Sequence, residues 1–267
     1  MNKFVLTVVV FVGFLMLFSW AKNNSIEIPS YVDESVINTD SDKKDKEVIK
    51  LVERLNAQNQ KISSIQVLDM PMRVSSDGMT YKLMGNLSYK KDKYFRLKVH
   101  HRLTGMELDI GSNDSEFWFW SKRMQPPALY FSKHENLAKT NLKSVFNPLW
   151  MMESLNIGVT DVKKITKTLK KGNLYYTYEN RTSAIGDPVT QITVYDAVSM
   201  VIVGRSLIDE DGKSVITTAY TDSKVNTLWH EENVRMEWDF SDKQVNCVTE
   251  SGLFVMPDYK KKIDLSK

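Results

Sequence analysis

One cysteine, Cys247, is all that the 267 residues contain. No internal disulfide can form, so the core must hold itself together by packing alone. With no supporting neighbour in sequence for redox or nucleophilic work, Cys247 reads as a small apolar side chain buried in a strand. Histidine is almost as scarce: His100, His101, His134 and His230 are the only four. His100 and His101 are successive on a strand and point to opposite faces, so they cannot chelate one ion as neighbours, and no metal site is expected. The chain also lacks G-x-S-x-G, H-E-x-x-H, C-x-x-C and any Gly-rich phosphate loop. Its carboxylates fall in turns and on wet strand faces, so no catalytic residue and no cofactor are expected. A dominant charge sign is missing too. With 36 basic against 33 acidic residues and a net charge of +3, the surface is mixed, which argues against a nucleic-acid partner. Lys163-Lys164, Lys170-Lys171 and Lys260-Lys261-Lys262 read as solvated faces or tails with at most a weak affinity for anionic lipid head groups.

What the chain does have begins at its start. Lys3 precedes an apolar run from Phe4 to Phe18, and Ser19-Trp20-Ala21 places small residues at the −3 and −1 positions of a signal-peptidase site. The run is shorter than the about 20 residues a spanning helix needs. Residues 1–21 therefore read as a secretory signal peptide cleaved after Ala21, or as an uncleaved anchor tethering the protein to the inner membrane. Removing Lys3 lowers the net charge from +3 to +2. Residues 22–43 are polar and without periodicity, a linker of no fixed structure. The domain proper is expected over 44–267.

From about Asp45, Val48, Ile49, Val52 and Leu55 recur at helical spacing, predicting an amphipathic helix to about Gln60. Ile62 to Val74 is extended, and Ser75-Ser76-Asp77-Gly78 turns the chain into a meander. Met79, Tyr81, Leu83, Leu87 and Tyr89 alternate with polar residues, as do Phe95, Leu97, Val99 and Leu103, and then Met106, Leu108 and Ile110. A loop at Lys91-Asp92-Lys93 pairs Tyr89 with Phe95 and Leu87 with Leu97. A two-residue loop at Thr104-Gly105 would set Leu103 against Met106, Arg102 against Glu107 and His100 against Asp109. In Glu116-Phe117-Trp118-Phe119-Trp120-Ser121 the alternation disappears, so this strand must be covered on both faces or line a cavity. Parity does not say whether Phe117/Phe119 or Trp118/Trp120 face the concave side. Ala128-Leu129-Tyr130-Phe131 supplies another short strand. Asn147-Pro148 is a helix start, with Leu149, Trp150, Met151, Met152 and Leu155 making Pro148–Leu155 apolar nearly all round. Strands then return at 174–178, 190–195, 200–208, 213–220 and 234–240, with Asp209-Glu210-Asp211-Gly212 as a hairpin turn. Many short strands and few helices predict an α+β, mostly antiparallel β fold, a single sheet curling toward a barrel.

This order of elements resembles the periplasmic lipoprotein carrier and receptor family, LolA/LolB-like, over roughly residues 44–260. Gly85-Asn86-Leu87-Ser88-Tyr89-Lys90-Lys91-Asp92-Lys93-Tyr94-Phe95-Arg96 is similar to the family's G-x-L-x-x-K-R-P-x-x-F block. Gly111-Ser112-Asn113-Asp114 with Phe117-Trp118-Phe119-Trp120 is similar to its S-D-G turn and aromatic strand. Phe146-Asn147-Pro148-Leu149 resembles the start of its lid helix, and Phe254-Val255-Met256-Pro257 its closing strand. The resemblance implies a half-open barrel whose helices plug the concave apolar face. It further implies a monomeric, non-enzymatic carrier in the periplasm or cell envelope that holds acyl chains of lipoproteins or phospholipid and touches membrane surfaces. The alternative is an envelope structural or interaction protein on the same scaffold with no lipid cargo. The residues expected to line the cavity and lid are Trp118, Trp120, Tyr130, Leu149, Trp150, Met151 and Met152. Two departures stand out: the family's rim Arg falls on Lys91, which cannot make the same bidentate contacts, and its following Pro is Asp92. The lipidated N-terminal Cys of a receptor is absent.

Overall fold

The computed structural model describes residues 30–37, 43–76, 78–91, 93–122, 124–140, 151–152, 154–155, 159–183 and 186–267. The signal segment and the Asn147-Pro148 start of the lid helix lie outside them.

Period-two alternation becomes one continuous antiparallel sheet. A first meander runs β1 (Ser64–Ser76), β2 (Met79–Lys90), β3 (Tyr94–His101), β4 (Gly105–Ser112), β5 (Glu116–Ser121) and β6 (Leu129–Lys133). A second runs β7 (Ile165–Lys171), β8 (Leu174–Thr182), β9 (Pro188–Asp196), β10 (Val201–Ile208), β11 (Ser214–Thr221), β12 (Lys224–Trp229) and β13 (Val234–Asp239). They join where β1 pairs β13, with Met72 opposite Trp238 and Val74 opposite Met236. Two short strands complete the sheet: β14 (Gln244–Val245) on β1, and β15 (Lys262–Asp264), which lies parallel to β6. β6 and β7 are consecutive in sequence but lie near opposite ends of the strand order, and the connection between them, the traverse, includes Met151, Met152, Ser154 and Leu155.

The helix expected at 45–60 is α2 (Lys46–Asn59), preceded by a one-turn α1 (Glu34–Ile37). The Asp45 carboxylate accepts from the backbone N–H of Glu47 (2.8 Å) and Val48 (3.4 Å), satisfying donors that a helix start leaves open. Lys170 Nζ lies 3.0 Å from Asp45 and 2.5 Å from Glu47, fixing that end to β7. Val48, Leu51, Val52 and Leu55 form the buried stripe, packed on Ile165, Tyr195 and Ile202 of the concave face. Asn56 and Thr160 exchange two hydrogen bonds (2.8 and 2.9 Å), tying the helix to the traverse just before β7.

Two segments, residues 30–37 and the stretch around 253–255, cover the face of the sheet opposite α2 and the main core. Residues 30–37, expected as linker, instead dock there. Val36 is fully buried with Tyr31, Val32 and Ile37 against Tyr176, Tyr178, Ile192 and Val194, and Tyr178 donates to the Val36 carbonyl (2.6 Å). The segment is polar on average, but its few apolar side chains meet a strand face that would otherwise be bare. At the other end, Arg96 forms a bidentate buried pair with Asp109 (2.7 and 2.6 Å) and donates to the carbonyls of Leu253 and Val255 (3.0 Å each).

That ion pair explains one correction. His100 does not face Asp109. Lys98 does, after a register shift between Val99 and His100 that sets His100 opposite Met106 and His101 opposite Gly105. The turn is longer than two residues, Gly105 adopts φ +78, and Leu103 is 82 % exposed rather than paired. The Tyr89–Phe95 and Leu87–Leu97 pairings are as expected. Residues 254–257 are not a strand: a 3-10 turn over Ser251–Phe254 ends there, and the last strand is β15. Cys247 is half-exposed beyond β14, not buried in a strand.

Candidate functional site: the concave face

Cross-strand register builds the concave face in rows. In the first meander, Val67, Leu87, Leu97, Ile110, Phe119 and Tyr130 are successive partners from β1 to β6. None is more than 2 % exposed. Strands stand about 4.8 Å apart, so this row is about 24 Å long, comparable with an extended fatty-acyl chain. Phe119 and Tyr130 stack with centroids 5.4 Å apart. The Tyr130 hydroxyl donates to the Pro126 carbonyl (2.8 Å), and burial pushes its pKa up. Met151, Met152 and Leu155 of the traverse belong to the same buried cluster.

The second meander carries a different row at the equivalent place: Thr168, Thr177, Thr193, Arg205, Thr218 and Thr227, partner to partner from β7 to β12. The threonines are at most 4 % exposed. Their hydroxyls are engaged locally. Thr168 accepts from the Asp45 N–H (2.7 Å), Thr177 meets Tyr195 Oη (3.4 Å), Thr193 accepts from Gln191 Nε2 (3.2 Å), and Thr218 meets Thr227 (3.4 Å). Between this row and the traverse lies a partly open pocket whose empty space, mouth included, is about 300 Å³. Gln191, Arg205, Thr218 and Tyr220 line it from the sheet and Ser154 from the traverse; Leu207 and Ile216 form its apolar wall.

Tyr130, Met151 and Met152 thus share one cluster. Trp118 and Trp120 lie on the opposite face of β5 from Phe117 and Phe119, whose rings enter the main core. Trp118 is fully buried across from Gly111, with the Arg96 guanidinium 5.4 Å from its ring centre. Half-buried Trp120 stacks on Tyr259 at 5.7 Å. The aromatic strand is therefore covered on both faces, by the core and by the C-terminal segment. Leu149 and Trp150 lie outside the described residues. Lys91 is exposed in the turn after β2, where its backbone N–H donates to the Ser63 carbonyl (2.8 Å). Sequence reading missed Arg205, Gln191, Thr218, Tyr220 and Ser154. Strand parity, which puts Thr193 on the same side as Tyr195, is the signal that bears on them. Among the described residues no group of three His, Cys, Asp or Glu side chains could hold a metal ion, and no helix is long and apolar enough to cross a membrane.

No protein-family model matches the sequence, and no curated protein matches it. Solved structures do match in shape. A structure described as an outer membrane lipoprotein-sorting protein domain from Vibrio parahaemolyticus superposes with a TM-score of 0.55 at 10% identity, covering 77% of this chain and 95% of the other. A DUF1329 family protein from Desulfovibrio piger gives 0.54 at 11% identity, covering 79% and 96%. A LolA superfamily protein from Nitrosomonas europaea gives 0.51 at 9% identity, covering 76% and 96%. At such identities the likeness is one of fold, and the fold is LolA-like: a single, mostly antiparallel open sheet with few helices.

Proposed function

We propose that this protein is a non-enzymatic lipid- or lipoprotein-binding protein of the cell envelope, exported by its first 21 residues, which holds acyl chains against the concave face of the first meander. The observation that carries the reading is the unbroken apolar row from Val67 to Tyr130, which shares one buried cluster with Met151, Met152 and Leu155. Methionine suits a displaceable contact, because an unbranched, polarisable side chain repacks around irregular shapes. Each methylene taken from water contributes about 0.8 kcal/mol, so a chain lying along part of the row would be held firmly. The traverse residues and the cargo compete for the same surface, so loading requires the traverse to shift. The LolA-like fold supports the reading at the level of scaffold.

A cargo-free interaction protein on this scaffold is the second reading, favoured by how fully side chains such as Trp229, Met236 and Trp238 occupy the interior. One measurement separates the two: native mass spectrometry with lipid extraction on protein purified from its own envelope fraction. Lipid or acylated protein at near one-to-one is expected. Protein recovered free of both would overturn the carrier reading and select the second.

A further inference from the structure

A pocket opens beside Arg205. Its polar groups are held in place before any ligand arrives. Arg181 Nη1 donates to Gln191 Oε1 (2.9 Å), Gln191 Nε2 donates to Thr193, and the Ser154 hydroxyl donates to the Met151 carbonyl (2.6 Å). The local charge is positive. Arg181, Lys164 and Arg205 all act on buried Glu179, one row along, against Asp161, and burial favours the protonated form of the Glu179 carboxyl. A guanidinium presents a planar fork that matches two oxygens of a phosphate or carboxylate, with hydroxyls and an amide available beside it. Its wall residues Leu207 and Ile216 belong to the same buried cluster as Phe119 and Tyr130.

We propose that this pocket is the head-group seat: Arg205, with Gln191 and the Thr218 and Tyr220 hydroxyls, grips the oxyanion of an amphiphile whose chain lies along the apolar row. The proposal rests on the acyl-binding reading above and assigns it a polarity, with chains on the first meander and the anionic head on the second.

Isothermal titration of the purified protein with three soluble probes tests it: dihexanoylphosphatidylglycerol, dihexanoylglycerol with the same chains and no phosphate, and glycerol 3-phosphate. The phosphatidylglycerol should bind about 10- to 100-fold tighter than the diacylglycerol, the range expected of hydrogen bonds to a charged group. Arg205→Met should erase that difference while leaving diacylglycerol affinity unchanged, and Arg205→Lys should keep part of it. Thr218→Val/Thr227→Val, which replaces both members of a buried hydroxyl pair by groups of the same shape, should weaken only the phosphatidylglycerol with little change in the melting curve. It carries the test if Arg205→Met does not fold. Equal affinity of the unmodified protein for both lipids overturns the head-group seat and leaves acyl binding standing. So does an Arg205→Met protein that folds and loses both lipids alike. Arg205-dependent binding of glycerol 3-phosphate without either lipid keeps the oxyanion seat and sinks the acyl reading, and binding of none of the three overturns both.

Discussion

The two meanders present equivalent six-residue rows to the same concave space, one wholly apolar and the other five threonines and an arginine. The side chains of the first row and the threonines of the second are alike buried, and α2 packs over the end of the second row. The difference therefore does not reflect wet against dry. Threonine is β-branched and packs on a pleated surface much as valine does, so the second half keeps the shape of a core while lining it with hydroxyls that find local hydrogen-bond partners. A polar lining in a buried place costs stability unless every group is partnered. The sheet thus sets an acyl-compatible surface beside an oxyanion-compatible one without changing its backbone.

Disturbing the apolar row should have the largest effect. Phe119→Ala removes a fully buried ring and its stack on Tyr130, and a loss of about 3–5 kcal/mol of unfolding free energy is expected in urea denaturation. A loss below about 1 kcal/mol would mean that the row is not a packed unit. Next comes the convex support of the same half. A Cβ on Gly111 would sit 2.2 Å from the Trp118 ring, so Gly111→Ala forces the indole off its seat beneath the C-terminal segment. The expected cost is about 1–3 kcal/mol, with a red shift of tryptophan emission as the indole gains water. The threonine row should respond least. In Thr218→Val/Thr227→Val both partners of one hydroxyl pair become apolar groups of the same shape, and stability should stay within about 1 kcal/mol of the parent. A large loss would show that those hydroxyls serve the fold as well as the pocket.

These two rows also mark how far the sequence could be read. The apolar row was legible over β2 and β3 because the alternation there is regular: the Leu87–Leu97 and Tyr89–Phe95 register follows from parity and loop length. The threonine row was hidden because alternation of polar and apolar residues is ordinarily a sign of one wet face, and here both faces of β8 to β10 are covered, one by α2 and one by residues 30–37. Strands β7 and β12 escaped for the same reason, Thr168 and Thr227 occupying central inward positions where an apolar residue would have announced them. The orientation of β5 was not legible at all. With rings on both faces, only tertiary partners (Arg96 and Tyr259 for Trp118 and Trp120) decide it. The hairpin at Gly105 failed because charge pairing across the strands favoured His100 with Asp109, whereas Asp109 is taken by Arg96 from the face covered by the C-terminal segment.

Two titratable groups shifted by burial, His134 in the first half and Glu179 in the second, should pull stability in opposite directions with pH. In the first, half-buried His134 donates Nε2–H to the Asn113 carbonyl (2.8 Å) beside the Phe117 ring, and burial holds its pKa below the ordinary 6.5. The unfolded chain takes up that proton first, so the His134 contribution is complete above 6.5 and is lost as pH falls through the lower folded value. In the second half, burial raises Glu179 above its ordinary 4.5 despite Arg181, Lys164 and Arg205. The folded chain keeps this proton longer, so the Glu179 contribution is complete below 4.5 and is lost as pH rises through the higher folded value. Between these limits the two slopes oppose each other. His134→Gln should therefore shrink the stability gained from about pH 5 to about pH 7.5, and Glu179→Gln should enlarge it, both read as urea midpoints at the two pH values. Shifts of the same sign from the two variants would mean that burial does not set these two groups against each other; opposite signs would bear out the opposed slopes.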